Sequence, residues 1–405
     1  MRVSTANSYD ITVSSLAQRQ ADLAAQQERL STGKRVLRPS DDPVAATLAE
    51  AAQNRLSRVQ GDLRAMESSR ASLAQAESGL AESGDLIQKA RDLMISAGNA
   101  TFGPSEREDI ARQLSGLREQ MIGVANRQDN AGRTLYGGLG GSTTPFIDLY
   151  GPTGGVVQFQ GQRGQQAAGN TSLPQSLDGD AIWMRIPQGN GSFTLSLPNT
   201  NTSAVRTGVG QLTGSNAIPP QGYNITFAEV AGVMQYTVTD VANPAAPGLP
   251  TNQPYQPGAT IAFNGLSFDI QNPAAAGDRI ELRPATIPTD IFRVMQNTVD
   301  ALRETGGNSD ARRTQALARN LTELDAGLDR VLLARGRAGE MLNRADSLES
   351  MLDTRAVAFE TEKSQLEDLD LIKGISDFQN QQVGLQPALK SYAQVQRLSL
   401  FEFVR

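Results

Sequence analysis

Residues 30–46 read Leu30-Ser-Thr-Gly-Lys-Arg-Val-Leu-Arg-Pro-Ser-Asp-Asp-Pro-Val-Ala-Ala46 and separate two segments with helical patterning. Gly33 can end the first helix, because glycine tolerates the left-handed conformation that follows many helices. Pro39 disfavours helix in the residue before it. Asp42 can cap the second helix, with Pro43 at its first helical position. The stretch therefore predicts an inter-helix joint built by Gly33, Arg38, Asp41, Asp42 and Pro43.

The segment before the joint, from Thr5 to Ser31, has a seven-residue repeat. Its main position is apolar, and its companion position contains two glutamines: Tyr9, Leu16, Leu23 and Leu30, with Val13, Gln20 and Gln27. Burial of so narrow a stripe does not stabilise a lone helix in water. We expect the segment to become ordered against partner helices; the alternative is a helix docked on its own domain.

The last segment, from Leu366 to Phe403, resembles the first in length and polarity, and Pro387 can kink it. An apolar stripe runs along it among many glutamines. The two ends can therefore pair into one two-helix coiled coil. The predicted subunit-interface residues are Leu16, Leu23, Leu30, Leu385, Leu389, Tyr392 and Leu398.

Two long proline-free runs with helical patterning lie between these ends. The first spans residues 43–97, and the second runs from Ser309 or Asp310 to about Glu362. Each corresponds to roughly 80 Å of helix at the standard rise per residue, so the two can pair antiparallel. Shorter helices are expected from a capping box at Ser105 to about Gln128, and again after Asp290.

Residues 139–288 differ in composition, being rich in Gly, Pro, Asn and Thr, with alternating apolar residues. Asn264-Gly265, flanked by Ile261–Phe263 and Leu266–Ile270, predicts a hairpin with a type I′ turn. The glycine run 137–141 follows no strand and opens no helix, so it is interpreted as a hinge and not as a phosphate loop.

The predicted fold is therefore mainly α, with helical rods, a coiled coil of the two chain ends and an inserted antiparallel, sandwich-like β region. The predicted domains are 1–42 with 364–405 (terminal assembly segment), 43–138 with 289–363 (helical rods) and 139–288 (β domain, with a break near 187–190).

Composition argues against most kinds of catalytic site. The 405 residues include no histidine and no cysteine, which excludes Ser-His-Asp triads, His-ligated zinc sites, disulfides and thiolate metal sites. A net charge of −6 without a basic tail does not suggest nucleic acid. No apolar run suggests a membrane span, and no cleavable signal peptide is expected. We predict no cofactor and no enzymatic activity.

The remaining candidate sites have simpler structural explanations. Asp41 and Asp42 are interpreted as a turn and a helix cap. The pairs Asp178/Asp180 and Asp368/Asp370 lack the other ligands of a calcium loop. Trp183 is expected in the core. The basic cluster Lys34, Arg35 and Arg38 is expected in solvent or on acids of a neighbouring subunit.

The joint resembles that of the bacterial flagellin and hook-associated protein superfamily, and its Asp-Asp-Pro form is similar to that of the hook-associated members. Three other stretches resemble the superfamily in the same order. They are the turn Asn126-Arg-Gln-Asp-Asn-Ala-Gly-Arg-Thr-Leu-Tyr-Gly-Gly138, Arg335-Gly-Arg-Ala-Gly-Glu-Met-Leu-Asn-Arg344, and the ending Ala388-Leu-Lys-Ser-Tyr-Ala-Gln-Val-Gln-Arg-Leu-Ser-Leu-Phe-Glu-Phe403. Thr134 and Tyr136 stand where the superfamily usually has tyrosine and phenylalanine.

The resemblance implies a secreted structural adaptor of the bacterial flagellum, which joins hook to filament. It implies export through the flagellar type III channel with a chaperone, and ring assembly with other copies, between the first hook-associated protein and flagellin. A flagellin-type filament subunit is the nearest alternative. An enzyme or adhesin carried in the β region is more distant; a glycosidase there would need two facing carboxylates, for which Asp148, Asp180, Glu229 and Asp269 are the candidates.

Overall fold

The computed structural model describes residues 2–99, 101–140, 143–149, 156–167, 169, 172–214, 218–306 and 309–403. Within this part the α-helices are α1 (Arg2–Thr32), α2 (Pro43–Ala97), α3 (Pro104–Ala125), α4 (Ile291–Arg303), α5 (Ser309–Glu367) and α6 (Leu371–Phe403), and a short π-helix spans Asp180–Met184. The strands are β1 (Phe146–Asp148), β2 (Val157–Phe159), β3 (Phe193–Ser196), β4 (Arg206–Thr207), β5 (Gln211–Leu212), β6 (Tyr223–Val230), β7 (Val233–Asp240), β8 (Gln253–Pro254), β9 (Thr260–Phe263), β10 (Leu266–Gln271) and β11 (Arg279–Pro284).

The fold class predicted from the sequence is confirmed: helices at both ends of the chain flank an antiparallel β region. The chain divides into two compact units, Met1–Ala65 with Ser347–Arg405 and Met66–Asp346. We call them the terminal unit and the central unit. The three-part domain division remains a prediction. None of the described helices has an apolar stretch long enough to span a membrane.

The helical part of the central unit has a dense apolar core. The buried stripe of α2 packs there with α3, α4 and the first half of α5, and includes Leu73, Leu80, Ile87 and Met94, each at most 1% exposed. Tyr136 donates its hydroxyl to the carbonyl of Ala76 (2.7 Å), and its ring packs edge-on against the buried Trp183. Burial raises the pKa of Tyr136, so the phenol stays neutral.

The β region contains a small two-stranded sheet, β1 with β2, and a sandwich of two facing sheets. One has the order β3-β11-β6-β7-β8, and in the other β10 pairs with β4, β5 and β9. Their inner faces share one apolar core, in which the Tyr223 and Phe263 rings meet edge-on at 5.1 Å. The predicted hairpin joins β9 to β10, and Asn264 and Gly265 have φ angles of 47° and 75°, as a type I′ turn requires.

Three local predictions were wrong. Helix α3 begins at Pro104 with Gly103 as an N-cap that makes no side-chain bond, so Ser105 lies inside the first turn and forms no capping box. That helix ends at Ala125, not at Gln128. The last helix begins at Leu371, because the Asp370 carboxylate accepts the amides of Ile372 and Lys373 and so caps it.

The glycine run 137–141 is not an open hinge over its described residues, 137–140. Gly137 is buried and Gly138 is half-buried, and each forms a β-bridge, with Asp178 and Gln162 respectively. Gly138 has a φ of 73°, and a Cβ there would overlap the carbonyl oxygen of Gln162. Close packing of the backbone therefore explains this glycine; Gly141 lies outside the described residues.

Candidate assembly interface

Helices α1 and α6 of the terminal unit pack against each other in antiparallel orientation. Arg19 of α1 lies beside Gly384, whereas Gln26 and Leu30 lie beside Gly374, so position along α6 falls as position along α1 rises. Gln26 donates its side-chain amide to the carbonyl of Gly374 (3.1 Å). The predicted pairing of the chain ends is thus present, with a polar side chain in the middle of the seam.

The α1 side of the seam agrees with only part of the predicted repeat. Leu16, Leu23 and Leu30 are half-buried, as expected of seam residues. Val13, Gln20 and Gln27 are exposed, and the buried companion is Gln26, which is 8% exposed. The companion position therefore lies one residue earlier than predicted, because the bond from Gln26 to Gly374 turns that side chain inward.

The α6 side separates the predicted apolar stripe into two sets. Leu385 and Tyr392 are half-buried, whereas Leu389 is 41% exposed. The side chain of Leu398 lies outside the described residues. Large apolar side chains of α6 also remain in solvent. Four of them form what we call the outer stripe, namely Ile372 (85% exposed), Ile375, Val383 (69% exposed) and Leu389, and Leu371 at the start of the helix is exposed as well.

The joint between α1 and α2 is held by the segment that links α5 to α6. Gly33, with a φ of 70°, ends α1, and its carbonyl accepts the amide of Leu369 (2.8 Å). The amides of Arg35 and Val36 donate to the carbonyl of Glu367 (2.7 and 3.3 Å), and Lys34 forms a β-bridge with Asp368. The joint is therefore a short backbone ladder between distant parts of the chain.

The two aspartates of the joint act as the turn and the cap that were predicted. The Asp41 carboxylate accepts the amides of Leu37 and Arg38 (both 3.1 Å), and the Asp42 carboxylate accepts that of Ala45 (3.0 Å). These backbone bonds favour the ionised forms and hold the pKa of both carboxyls below the ordinary value of 3.8. Pro43 is the first residue of α2.

The side chains of the basic cluster at the joint are largely exposed, as the first of the two expectations has it, and they pair with acids of their own chain. Lys34 pairs with Glu367 (2.9 Å), Arg35 with Asp42 (3.2 Å) and Arg38 with Glu28 (3.6 Å). The bond to Glu367 raises the pKa of Lys34. These pairs are largely exposed, so each contributes little stability.

The role of residues 366–370 is not predicted by the sequence. The pattern of Asp368 and Asp370 suggests only an incomplete calcium loop, whereas Asp368 bridges to the joint and Asp370 caps α6. The available signal was Asp370 followed by the apolar Leu371 and Ile372, which is a helix-start pattern. No sequence pattern near residues 366–370 indicates that their backbone pairs with residues 33–36.

The four carboxylates considered for glycosidase chemistry lie on four different elements. Asp148 pairs with the buried Arg118 (2.7 Å), and Asp180 pairs with Arg163 and Arg185 (3.2 and 2.6 Å). Glu229 is exposed near the end of β6, and Asp269 is on β10. Among the residues that the structure describes, no group of three or more acidic side chains is placed to hold a metal ion.

Known proteins resemble this chain in sequence. Residues 3–139 match the model of the bacterial flagellin N-terminal helical region. The chain is 26% identical to flagellar hook-associated protein 3 of Salmonella typhimurium, with 100% of both chains covered. It is 25% identical to flagellar hook-associated protein 3 of Escherichia coli, with 99% of each covered.

A solved structure agrees with these relatives. The crystal structure of flagellar hook-associated protein 3 from Legionella pneumophila is 25% identical, with a TM-score of 0.70 over 78% of this chain and 98% of that chain. The resemblance inferred from the joint, the Asn126 turn and the C-terminal ending is thereby confirmed. The chain is similar over its full length to flagellar hook-associated protein 3 of these bacteria, and its first third matches the model of the bacterial flagellin N-terminal helical region.

Proposed function

We propose that this chain is a structural adaptor of the bacterial flagellum that joins the hook to the filament. In this proposal it leaves the cell through the flagellar type III channel, with an export chaperone on its terminal region. It then assembles outside the cell as a ring with other copies, between the first hook-associated protein and flagellin. Full-length similarity to hook-associated protein 3 supports the junction role; ring assembly is supported by the terminal unit.

The observation that carries assembly is the outer stripe of α6. A two-helix pair that was complete by itself would bury its large apolar side chains, yet α6 leaves Ile372 and Val383 mostly in solvent. Neighbouring apolar side chains left exposed on a monomer mark interaction surfaces. We propose that the outer stripe binds helices of neighbouring copies, together with the seam residues Leu16, Leu23, Leu30, Leu385 and Tyr392.

The other predicted parts take complementary roles. The terminal assembly segment (1–42 with 364–405) forms the inner layer, with Leu398 near its end. The helical rods (43–138 with 289–363) make lateral subunit contacts, and the β domain (139–288) faces outward. The joint sets the path of the chain from the inner layer to the rods, because its backbone ladder and the Asp42 cap fix both helix ends.

Deletion of the gene tests the junction role. We expect cells with intact hooks, without filaments, that release flagellin into the medium. A motile strain with normal filaments would refute the proposal. Polymerisation of the purified chain alone into long filaments would instead favour the filament-subunit alternative.

Substitution of the outer stripe tests the assembly surface. The double variant Ile372→Gln with Val383→Gln should reach the medium yet fail to restore filaments to the deletion strain, because it removes the apolar contact between copies. The control is Val230→Gln with Val233→Gln, two exposed valines (47% and 49%) on the β6–β7 hairpin. Full restoration by both double variants would exclude the outer stripe as the assembly surface.

A further inference from the structure

The β sandwich is joined to the helical part of the central unit by a narrow neck, residues 186–189 and 289–291. Here the chain that enters the sandwich pairs with the chain that leaves it. The amide of Ile186 donates to the carbonyl of Thr289, and the amide of Thr289 donates to that of Ile186 (both 2.8 Å). Ile186 and Thr289 are buried, so the neck is a closed two-residue ladder.

One turn of α5 packs against this neck. The Glu323 carboxylate accepts the amide of Gly189 (2.8 Å), and Gly327 lies one turn further along the same face. A Cβ on Gly327 would lie 2.6 Å from the Ile291 side chain and 3.0 Å from that of Ile186. Glycine at 327 therefore allows both isoleucines of the neck to approach the helix backbone.

Two buried carboxylates lie at the neck, Asp290 on the neck itself and Glu323 on the turn of α5 that packs against it. Asp290 is 9% exposed and Glu323 is 3% exposed. Asp290 caps α4 by accepting the amide of Arg293 (2.7 Å). Because buried carboxylates with few partners are costly to ionise, these two groups distinguish the neck from its apolar surroundings.

Few cations compensate them. Glu323 has Arg319 of its own helix at 3.9 Å. Asp290 is faced by Arg293 of α4 and by Arg118 of α3, and Arg118 is already paired with Asp148 of β1. Burial outweighs these charges, and it raises the pKa of Asp290 to about 6 and that of Glu323 above its ordinary value.

We propose that the neck responds to pH: it closes more tightly in mild acid and opens more often near neutral pH. The attachment of the β sandwich to the helical part of the central unit therefore varies with pH. In the open neck the carboxylates meet water and prefer to be ionised. In the closed neck they prefer to be protonated. Acid therefore favours the closed form, and this inference does not depend on the junction role.

The size of the effect follows from Asp290. With a pKa of about 6 when closed and the ordinary 3.8 when open, the ratio of open to closed neck falls about tenfold from pH 7 to pH 5. Glu323 acts in the same direction. The sign is that of a raised carboxyl pKa: closure gains stability as the pH falls through about 6, and gains no more below about 4.

Amide hydrogen exchange on the full-length protein tests the proposal. The amides of Ile186, Gly189, Thr289 and Arg293 are followed at pH 5 and pH 7, each corrected for the intrinsic rate at that pH. We expect the corrected opening constants to be about tenfold smaller at pH 5. The amides of Leu80 and Leu114 in the helical core serve as the internal control and should not follow this trend. Equal neck constants at the two pH values, or larger ones at pH 5, would overturn the proposal.

Two variants separate the carboxylates from a general effect of pH. Asp290→Asn keeps a capping oxygen but cannot titrate, so most of the pH dependence at Arg293 and Thr289 should disappear. Asp278→Asn changes a buried aspartate of the β sandwich whose pKa is lowered by the Ser203 hydroxyl and the amides of Ala275 and Thr202, and it should leave the neck response unchanged. Undiminished pH dependence in Asp290→Asn would refute the role of Asp290.

Discussion

The helical part of the central unit and the α1/α6 pair of the terminal unit bury their apolar side chains to different degrees. In the central unit α2 buries Leu80, Ile87 and Met94 completely. In the terminal pair the leucines of the seam are half-buried, and the most buried companion residue is a glutamine. A helix pair of the second kind gains less from burial per residue, so more of its apolar surface is available to other molecules.

The difference shows how one chain can combine a closed apolar core with a helix pair that leaves apolar surface in solvent. The helical part of the central unit is stabilised by apolar side chains that its own chain removes from water. The terminal pair keeps its outer stripe in solvent, so its stability should rise when neighbouring copies cover that stripe. The comparison can be tested with matched substitutions in the two regions.

The largest expected effect comes from truncating one leucine in each region. Leu80→Ala should lower the free energy of unfolding of the central unit by about 2–5 kcal/mol, because it leaves a cavity in a closed core. Trp183, the single tryptophan, is buried in that unit, so denaturant unfolding followed by its fluorescence reports the change directly.

The matched substitution Leu23→Ala should leave that fluorescence transition unchanged and should instead weaken assembly. A shift of the Trp183 transition by Leu23→Ala as large as that of Leu80→Ala would contradict the distinction between the two regions.

A smaller effect is expected from the polar seam residue. Gln26→Ala removes the bond to the carbonyl of Gly374, and should destabilise the α1/α6 pair by about 1 kcal/mol. Faster amide exchange in the middle of α1 and near Gly374 would measure this. Gln27→Ala, at the exposed neighbouring position, is the control, and equal exchange in both variants would show that the bond does not stabilise the pair.

Sequence patterns predicted the elements whose signals are local. The 55-residue helix α2 begins and ends where Pro43 and the lack of internal proline place it, and the Asn264-Gly265 turn has the expected backbone. The roles of Asp41 and Asp42 were also readable, because caps and turns involve residues three or four positions apart.

Features that depend on distant parts of the chain were not predicted. The companion position of the α1 seam is Gln26 and not Gln27 because its partner lies 348 residues away, at Gly374. Lys34 resembled a free charge because only the fold brings Glu367 beside the joint, whereas Arg35 and Arg38 pair with the nearby Asp42 and Glu28. The neck was visible only as a break near residues 187–190, since its receptor, Glu323 and Gly327, belongs to a helix that follows the whole β region.

The joint of the terminal unit and the neck of the central unit should respond to acid in opposite directions. The joint carboxylates, Asp41 and Asp42, have pKa values below 3.8 because backbone amides bind their ionised forms. Their contribution to stability is therefore complete above about pH 4 and is lost as the pH falls through the lowered values. Corrected exchange of the Leu37, Arg38 and Ala45 amides should accelerate between pH 4 and pH 3 while the neck remains closed.

Asp41→Asn distinguishes this titration from general acid unfolding. The amide side chain can still accept the Leu37 and Arg38 amides but has no charge to lose, so the acceleration at these two positions should be reduced, while Ala45 should still respond through Asp42. The joint and the neck would then change in opposite directions over adjacent pH ranges, because exposed carboxylates bound by amides favour ionisation, whereas buried ones with few partners resist it. Joint amides that become slower to exchange in acid, as the neck amides do, would show that burial governs both.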